Sequence, residues 1–289
     1  MLKISDPAQR YSLGDVMEEL TGFATLLGRV VVMEIEFDAA VDQMKSTATP
    51  LPSVALVGFG VAQTLGVVGG FRIRERETDA DVTARFREEY GAERFDIYMA
   101  TMTRKFERSA LCGPTDAEVE SLRERGWNPS AALAVADRRA QSENELRGRL
   151  NDDDRWRRGR LRDLVSAREI LFEFDSIRQR VLARRGLTSL NELGCDINGA
   201  RQVVRSMPSG EVAIELKTAW HRNASKPWTA NDIFDIDAMA LAVPYCDVVV
   251  TEKACHHVLT TAHLDERMQT RILRSLDDLP AVLSERRQR

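Results

Sequence analysis

The 289-residue chain is 43% hydrophobic and 30% charged, a length and balance that supply one large domain or two ordinary ones with a real core. Its formal net charge of −4 gives no global attraction to nucleic acid or to a membrane surface, so any such contact must use a local patch. No apolar run approaches the roughly eighteen residues of a spanning helix, and MLKISDPAQR lacks the apolar stretch of a secretory signal, so a cytoplasmic protein without membrane association is expected.

Residues 12–27, SLGDVMEELTGFATLL, open on a Ser cap and carry apolar residues at helical spacing, which predicts a helix. RVVVM at 29–33 is a short β-branched run and reads as a buried strand, followed by helix-compatible EIEFDAAVDQMK. TATPLPS at 47–53 is a turn-rich break. VALVGFGVAQTLGVVGGF at 54–71 is rich in glycine, yet no lysine follows in P-loop fashion and no acid closes a dinucleotide motif, so it reads as a packed or close-approach segment.

From about 77 to 186 the pattern is helical and predicts an insertion or cap on a single domain spanning 1–289. Asp152 to Asp154 suit a helix start at the positive end of its dipole, and Gly186 suits a stop. Residues 155–185 hold ten arginines against four acids. Arg157, Arg158 and Arg160 are candidates for holding a nucleic-acid backbone, with a solvated helix face laced by intrahelical ion pairs as the alternative.

NDIFDIDAMALAVPYCDVVVTEK at 231–253 places acids at both ends of an apolar middle. A helix beginning near Asp232 or Asp235 buries Met239, Ala240, Ala242 and Val243, and Pro244 ends it. CDVVVT is a short buried strand, and EKACHHVLTTA starts the next helix. Helix, strand and helix in direct succession form an α/β crossover, whose sites lie at the carboxyl ends of parallel strands. Asp235 and Glu252 would then converge, and hard oxygen ligands of this kind select Mg²⁺ or Mn²⁺. Helix caps and a strand-edge charge are the plainer account of the same acids. Cys112, Cys195, Cys246 and Cys255 read as free thiols; the last two, with His256, His257 and His263, match no common zinc spacing. The histidines, His221 included, sit in no nucleophile motif.

Asp235-x-x-x-Met-Ala-x-Ala, a short gap, then Val-Val-Val-Thr with an acid next resembles the C-terminal half of a PIN-like nuclease domain. TRILRSLDDLPAVL at 270–283 is similar to that family's closing edge strand and Leu-rich terminal helix. The resemblance covers about 228–283, with a weaker match over 13–45. It implies a three-layer α/β/α fold around a small parallel sheet, and hydrolysis of single-stranded RNA by an ion-activated water. It implies Asp235 as the helix-borne ligand and Glu252, where Asp is commoner, as the strand-end ligand. Asp232 and Asp247 are supporting candidates, Glu36 is preferred over Glu34 and Asp38, and Asp6 ends the stub that stands for the family's first strand. The function expected is a Mg²⁺- or Mn²⁺-dependent endoribonuclease, as toxin or defence effector, with room for an inhibitory protein partner and a homo-oligomer. The alternative is a catalytically impaired PIN-like scaffold that binds RNA, DNA or a protein.

Overall fold

The computed structural model describes residues 4, 6–44, 55–66, 71–194 and 196–287. Its first stretch runs through α1 (Pro7–Thr21), β1 (Ala24–Leu26), α2 (Arg29–Met44), β2 (Val57–Phe59), α3 (Val61–Thr64), α4 (Thr83–Tyr90), α5 (Ala92–Cys112) and α6 (Asp116–Glu124). Then come α7 (Pro129–Asp152), α8 (Arg155–Gly159), α9 (Leu161–Arg168), a π-helical turn over Glu169–Glu173, α10 (Asp175–Arg184), α11 (Ile197–Arg205) and α12 (Pro208–Arg222). The chain closes with α13 (Ala230–Tyr245), β3 (Val248–Val250), α14 (Lys253–Thr261), α15 (Leu264–Met268), β4 (Arg271–Leu273) and α16 (Leu279–Arg287). The protein is thus mostly helical, with two small sheets among the described residues: β1 pairs with β2 antiparallel and β3 with β4 parallel. No helix among them is long and apolar enough to cross a membrane.

Two compact units divide the chain, residues 1–28 with 57–129 and residues 29–56 with 130–289. The segment 77–186, read from sequence as one insertion, is shared between them.

In the first unit α1 packs on α5, with Glu18 accepting from Arg104 and from Arg108 Nη1 at 3.1 Å. Gly60 turns the chain after β2 at φ 86°. A Cβ there would lie 2.3 Å from Glu107 Oε1, whose carboxylate accepts the Val61 amide at 2.6 Å. A glycine is therefore required both by the left-handed backbone and by the buried carboxylate behind it.

The second unit is built around α12. Its Val212, Ala213, Leu216 and Trp220 pack with Ile233, Ile236, Ala240 and Val243 of α13 and with Cys255 and Leu259 of α14. A neighbouring core joins Met33, Phe37, Ala40 and Val41 of α2 to Phe174, Ile177, Val181 and Val203. These α2 residues correct the strand expected at RVVVM. Val32, Met33, Glu36, Phe37, Ala40 and Val41 recur every three or four positions and are all buried, so helical packing overrides the β preference of the valines.

The helix expected at 12–27 starts earlier, at Pro7 behind the Asp6 cap, and yields to β1 after Gly22. Around α13 the sequence reading is close. The helix, β3, α14 and the parallel partner β4 all form, but Pro244 lies inside the last turn of α13 instead of ending it. The helix accommodates it and runs one residue further, to Tyr245. The turn-rich 47–53 and Cys195 lie outside the described residues.

Thr229 and Asp232 start α13 reciprocally. The Asp232 amide donates to Thr229 Oγ1 at 3.4 Å, and Asp232 Oδ2 accepts the Thr229 amide at 2.8 Å. Thr229→Ala removes one half of that box and should cost about 1 kcal/mol, read as a lowered urea midpoint with unchanged slope.

Candidate functional site

The carboxyl end of β3 is where an α/β crossover would carry chemistry. There Thr251 donates its amide to the Leu273 carbonyl at 2.9 Å, which fixes the end of the strand against β4. Glu252 follows as the exposed N-cap of α14. Asp235, exposed, projects from the first turns of α13.

Both acids bear on one buried group, the Cys255 thiol. Burial pushes that thiol up to about 11, and the charges of Glu252 and Asp235 push in the same direction against Thr251 and Lys226. Cys255 Sγ lies 4.0 Å from Glu252 Oε1. Two carboxylates seventeen positions apart in sequence both disfavour the Cys255 thiolate. Asp235→Asn and Glu252→Gln should each lower the Cys255 titration midpoint, followed by the 13Cβ shift of labelled cysteine. A midpoint unmoved by either change would separate the two acids.

The remaining sequence candidates are held elsewhere or otherwise. Asp232 accepts Trp220 Nε1 at 2.9 Å and Lys226 Nζ at 2.7 Å besides its capping bonds. Burial raises its carboxyl, but these donors hold it below the ordinary range. Asp247 is exposed at the opposite end of β3, with its carbonyl taking the Arg271 amide at 2.9 Å.

Glu36 is buried on α2, accepting the Ser209 amide at 2.9 Å, Ser209 Oγ at 2.6 Å and the Tyr245 hydroxyl. Burial pushes its carboxyl up, and those donors offset the shift only in part. Tyr245 is at the far end of α13, about 15 Å of helix rise from Asp235. The structure thus does not bring Glu36 to Asp235. Glu34 is tied to Arg180 at 2.8 Å and Asp38 to Arg185 at 2.9 Å. Asp6 belongs to the first unit, where its side chain accepts the Ala8 amide at 3.0 Å.

Arg157 is a staple: it donates to the His221 carbonyl at 3.0 Å, the Leu150 carbonyl at 2.9 Å and Asn151 Oδ1 at 2.7 Å. Arg158 pairs with Asp154 at 2.5 Å and Arg160 with Asp163 at 3.4 Å. The ion-paired account of this segment therefore describes what these three arginines do.

Sequence reading missed the largest charged feature of the second unit, a buried network at its centre. Lys217 Nζ meets Glu169 at 2.6 Å, Glu143 at 3.0 Å and Glu173 at 3.4 Å. Arg29 bridges Glu169 and Asp237, and Arg139 holds Asp237 at 2.6 Å and Glu173 at 2.9 Å. Glu143 also meets His221 Nε2 at 3.1 Å and Arg168 at 3.5 Å. Burial would raise Glu143, but Lys217, His221 and Arg168 hold it at about 2. Asp237 is likewise raised by burial and brought below the ordinary carboxylate range by Arg139 and Arg29.

The π-helical turn serves this network. The Phe174 amide bonds to the Glu169 carbonyl at 3.0 Å, widening the helix so that Glu169 and Glu173 both face Lys217. A signal was available: Lys217 stands in the apolar run VAIELKTAW, where an ammonium demands buried partners.

Among the described residues, no three His, Cys, Asp or Glu side chains gather as a metal ion's complete protein cage. Mg²⁺ is commonly held by one or two carboxylates with waters and substrate phosphate completing the shell, and Asp235 and Glu252 are the two acids whose charges reach Cys255. Carboxylate oxygens are hard donors of the kind such an ion takes. Against known proteins, the chain matches no family model, no curated protein and no solved structure.

Proposed function

We infer that the second unit is a PIN-like, Mg²⁺- or Mn²⁺-dependent endoribonuclease acting on single-stranded RNA, with Asp235 and Glu252 as the ion's protein ligands. The observation that carries this reading is the placement of Glu252 directly after a strand of a parallel pair, 4.0 Å from Cys255, a thiol whose titration the Asp235 charge also raises. Sequence resemblance over 228–283 supports the finer assignment to a three-layer α/β/α fold of this kind. When bound, the ion would activate water and steady charge on the phosphodiester. The chain's own part is positional. Asp235 is set by the Thr229–Asp232 cap one turn before it and by the Arg29–Asp237–Arg139 clamp on the same helix. Glu252 is set by the Thr251 anchor to β4. Incubating the full chain with end-labelled single-stranded RNA and Mn²⁺ tests the reading, and cleavage that survives Asp235→Asn unchanged overturns the site.

One observation favours a second reading, a PIN-like scaffold that binds nucleic acid or protein without cutting. Glu36 is committed to Ser209 and Tyr245, so it is not available as a third ligand beside Asp235. Calorimetric titration with Mn²⁺ separates the two, because a binding scaffold needs no divalent site.

A further inference from the structure

A groove of about 360 Å³ runs between α12 and α14, lined by Glu215, Ala219, Arg222, His257, Val258 and Thr261 among others. Its shape follows from spacing. Glu215, Ala219 and Arg222 recur at i, i+4 and i+7 on one face of α12, and the small Ala219 leaves room opposite α14.

Several arginines elsewhere in the unit are committed within the chain. Arg157, Arg158, Arg160, Arg180 and Arg185 are all tied to acceptors inside the chain. Arg222 is exposed, and among the described residues no acceptor is paired with its guanidinium. His257 is exposed beside it in the same groove. The one acid in the lining, Glu215, is already neutralised by Arg162 Nε at 2.5 Å. A concave surface thus offers a guanidinium fork, an imidazole and the Thr261 hydroxyl, with its carboxylate answered from outside. That donor set matches a phosphodiester: a planar fork for two oxygens, and further donors for the remaining ones. A favourable interaction with the α12 dipole accounts for a cation at that helix end, but not for the groove or for His257 across it.

We propose that this groove is a phosphate subsite for a single-stranded nucleic acid, in which Arg222 and His257 hold a phosphodiester neighbouring the one at Asp235 and Glu252. His257 follows Glu252 by about 7.5 Å of rise along α14, so the groove and the strand-end acid share one helix. The assignment of the neighbouring phosphodiester rests on the nuclease reading; the binding itself does not.

The test is fluorescence anisotropy of the full chain with a labelled oligouridylate in EDTA, over a series of salt concentrations. Arg222→Gln is expected to weaken binding about tenfold at low salt and to cut the slope of log affinity against log salt by about 0.7. Arg222→Lys should keep most of the slope, His257→Gln should weaken binding without changing the fold, and Arg149→Gln, on exposed α7 surface, should change neither. No binding by the unaltered chain, or an Arg222→Gln protein that binds like it, overturns the proposal. Because EDTA removes cleavage from the measurement, the outcomes separate. Loss of binding in Arg222→Gln with no cleavage under any metal leaves the subsite and sinks the nuclease. Cleavage abolished by Asp235→Asn with Arg222→Gln binding intact does the reverse.

Discussion

Lys217→Met is expected to destabilise the second unit by roughly 3–5 kcal/mol, the range for removing one partner of a buried ion pair. Lys217 is 2% exposed and meets three carboxylates that are themselves largely withdrawn from water. Methionine fills nearly the same volume, so packing is kept and the loss isolates the charge. Arg29, Arg139 and Arg168 cannot replace it, because each is already engaged with Glu169, Asp237, Glu173 or Glu143. Urea unfolding followed through Trp220 and Trp228, both in the unit's core, measures the effect. A loss below about 1 kcal/mol would mean that solvent reaches the carboxylates and that they are not held dry.

The same network sets an acid limit. Glu143 is depressed from 4.5 to about 2 in the folded chain, so it contributes stability above its unfolded value that is lost as pH falls from about 4.5 to about 2. The contribution is on the order of 3 kcal/mol in the intact protein. Without Lys217 it should shrink, so Lys217→Met should show a flatter stability profile over that window.

The second large effect concerns activity. On the proposed nuclease reading, Asp235→Asn and Glu252→Gln are each expected to lower the cleavage rate by on the order of 10²-fold or more, since an ion contributes several kcal/mol to a phosphoryl transition state and each tenfold is about 1.4 kcal/mol. Both changes should weaken Mn²⁺ binding in step while leaving the urea midpoint nearly unmoved, because both side chains are exposed. Asp247→Asn, at the other end of β3, should keep its rate. A rate lost in Asp247→Asn and kept in Glu252→Gln would move the site to the wrong end of the strand.

Local signals served the sequence reading well where chemistry and structure lie close in the chain. Asp232 at a helix start, small residues on one face, a three-valine run and a second strand before a Leu-rich end all describe 229–283 correctly, because caps and patterns there act within a few residues. RVVVM failed because a five-residue window cannot show that Glu36, Phe37 and Ala40 continue the same buried face. Candidate acids were recognised by residue type, and type alone does not reveal commitment. Glu36 looked like a ligand until Ser209, 173 positions away, and Tyr245, 209 away, were placed on it. The central ion network was invisible for the same reason: its partners are joined only by tertiary packing.

That reach along the chain has a consequence for synthesis. Arg29 is made early, yet its partner Asp237 lies 208 positions later. At roughly 5–20 residues per second a ribosome needs on the order of 10–40 s to deliver it, plus the length still inside the tunnel. Glu169, 140 positions after Arg29, can answer the guanidinium first, but the second carboxylate of its bridge arrives only with Asp237, so this buried ion network is completed after nearly all of the polypeptide has emerged.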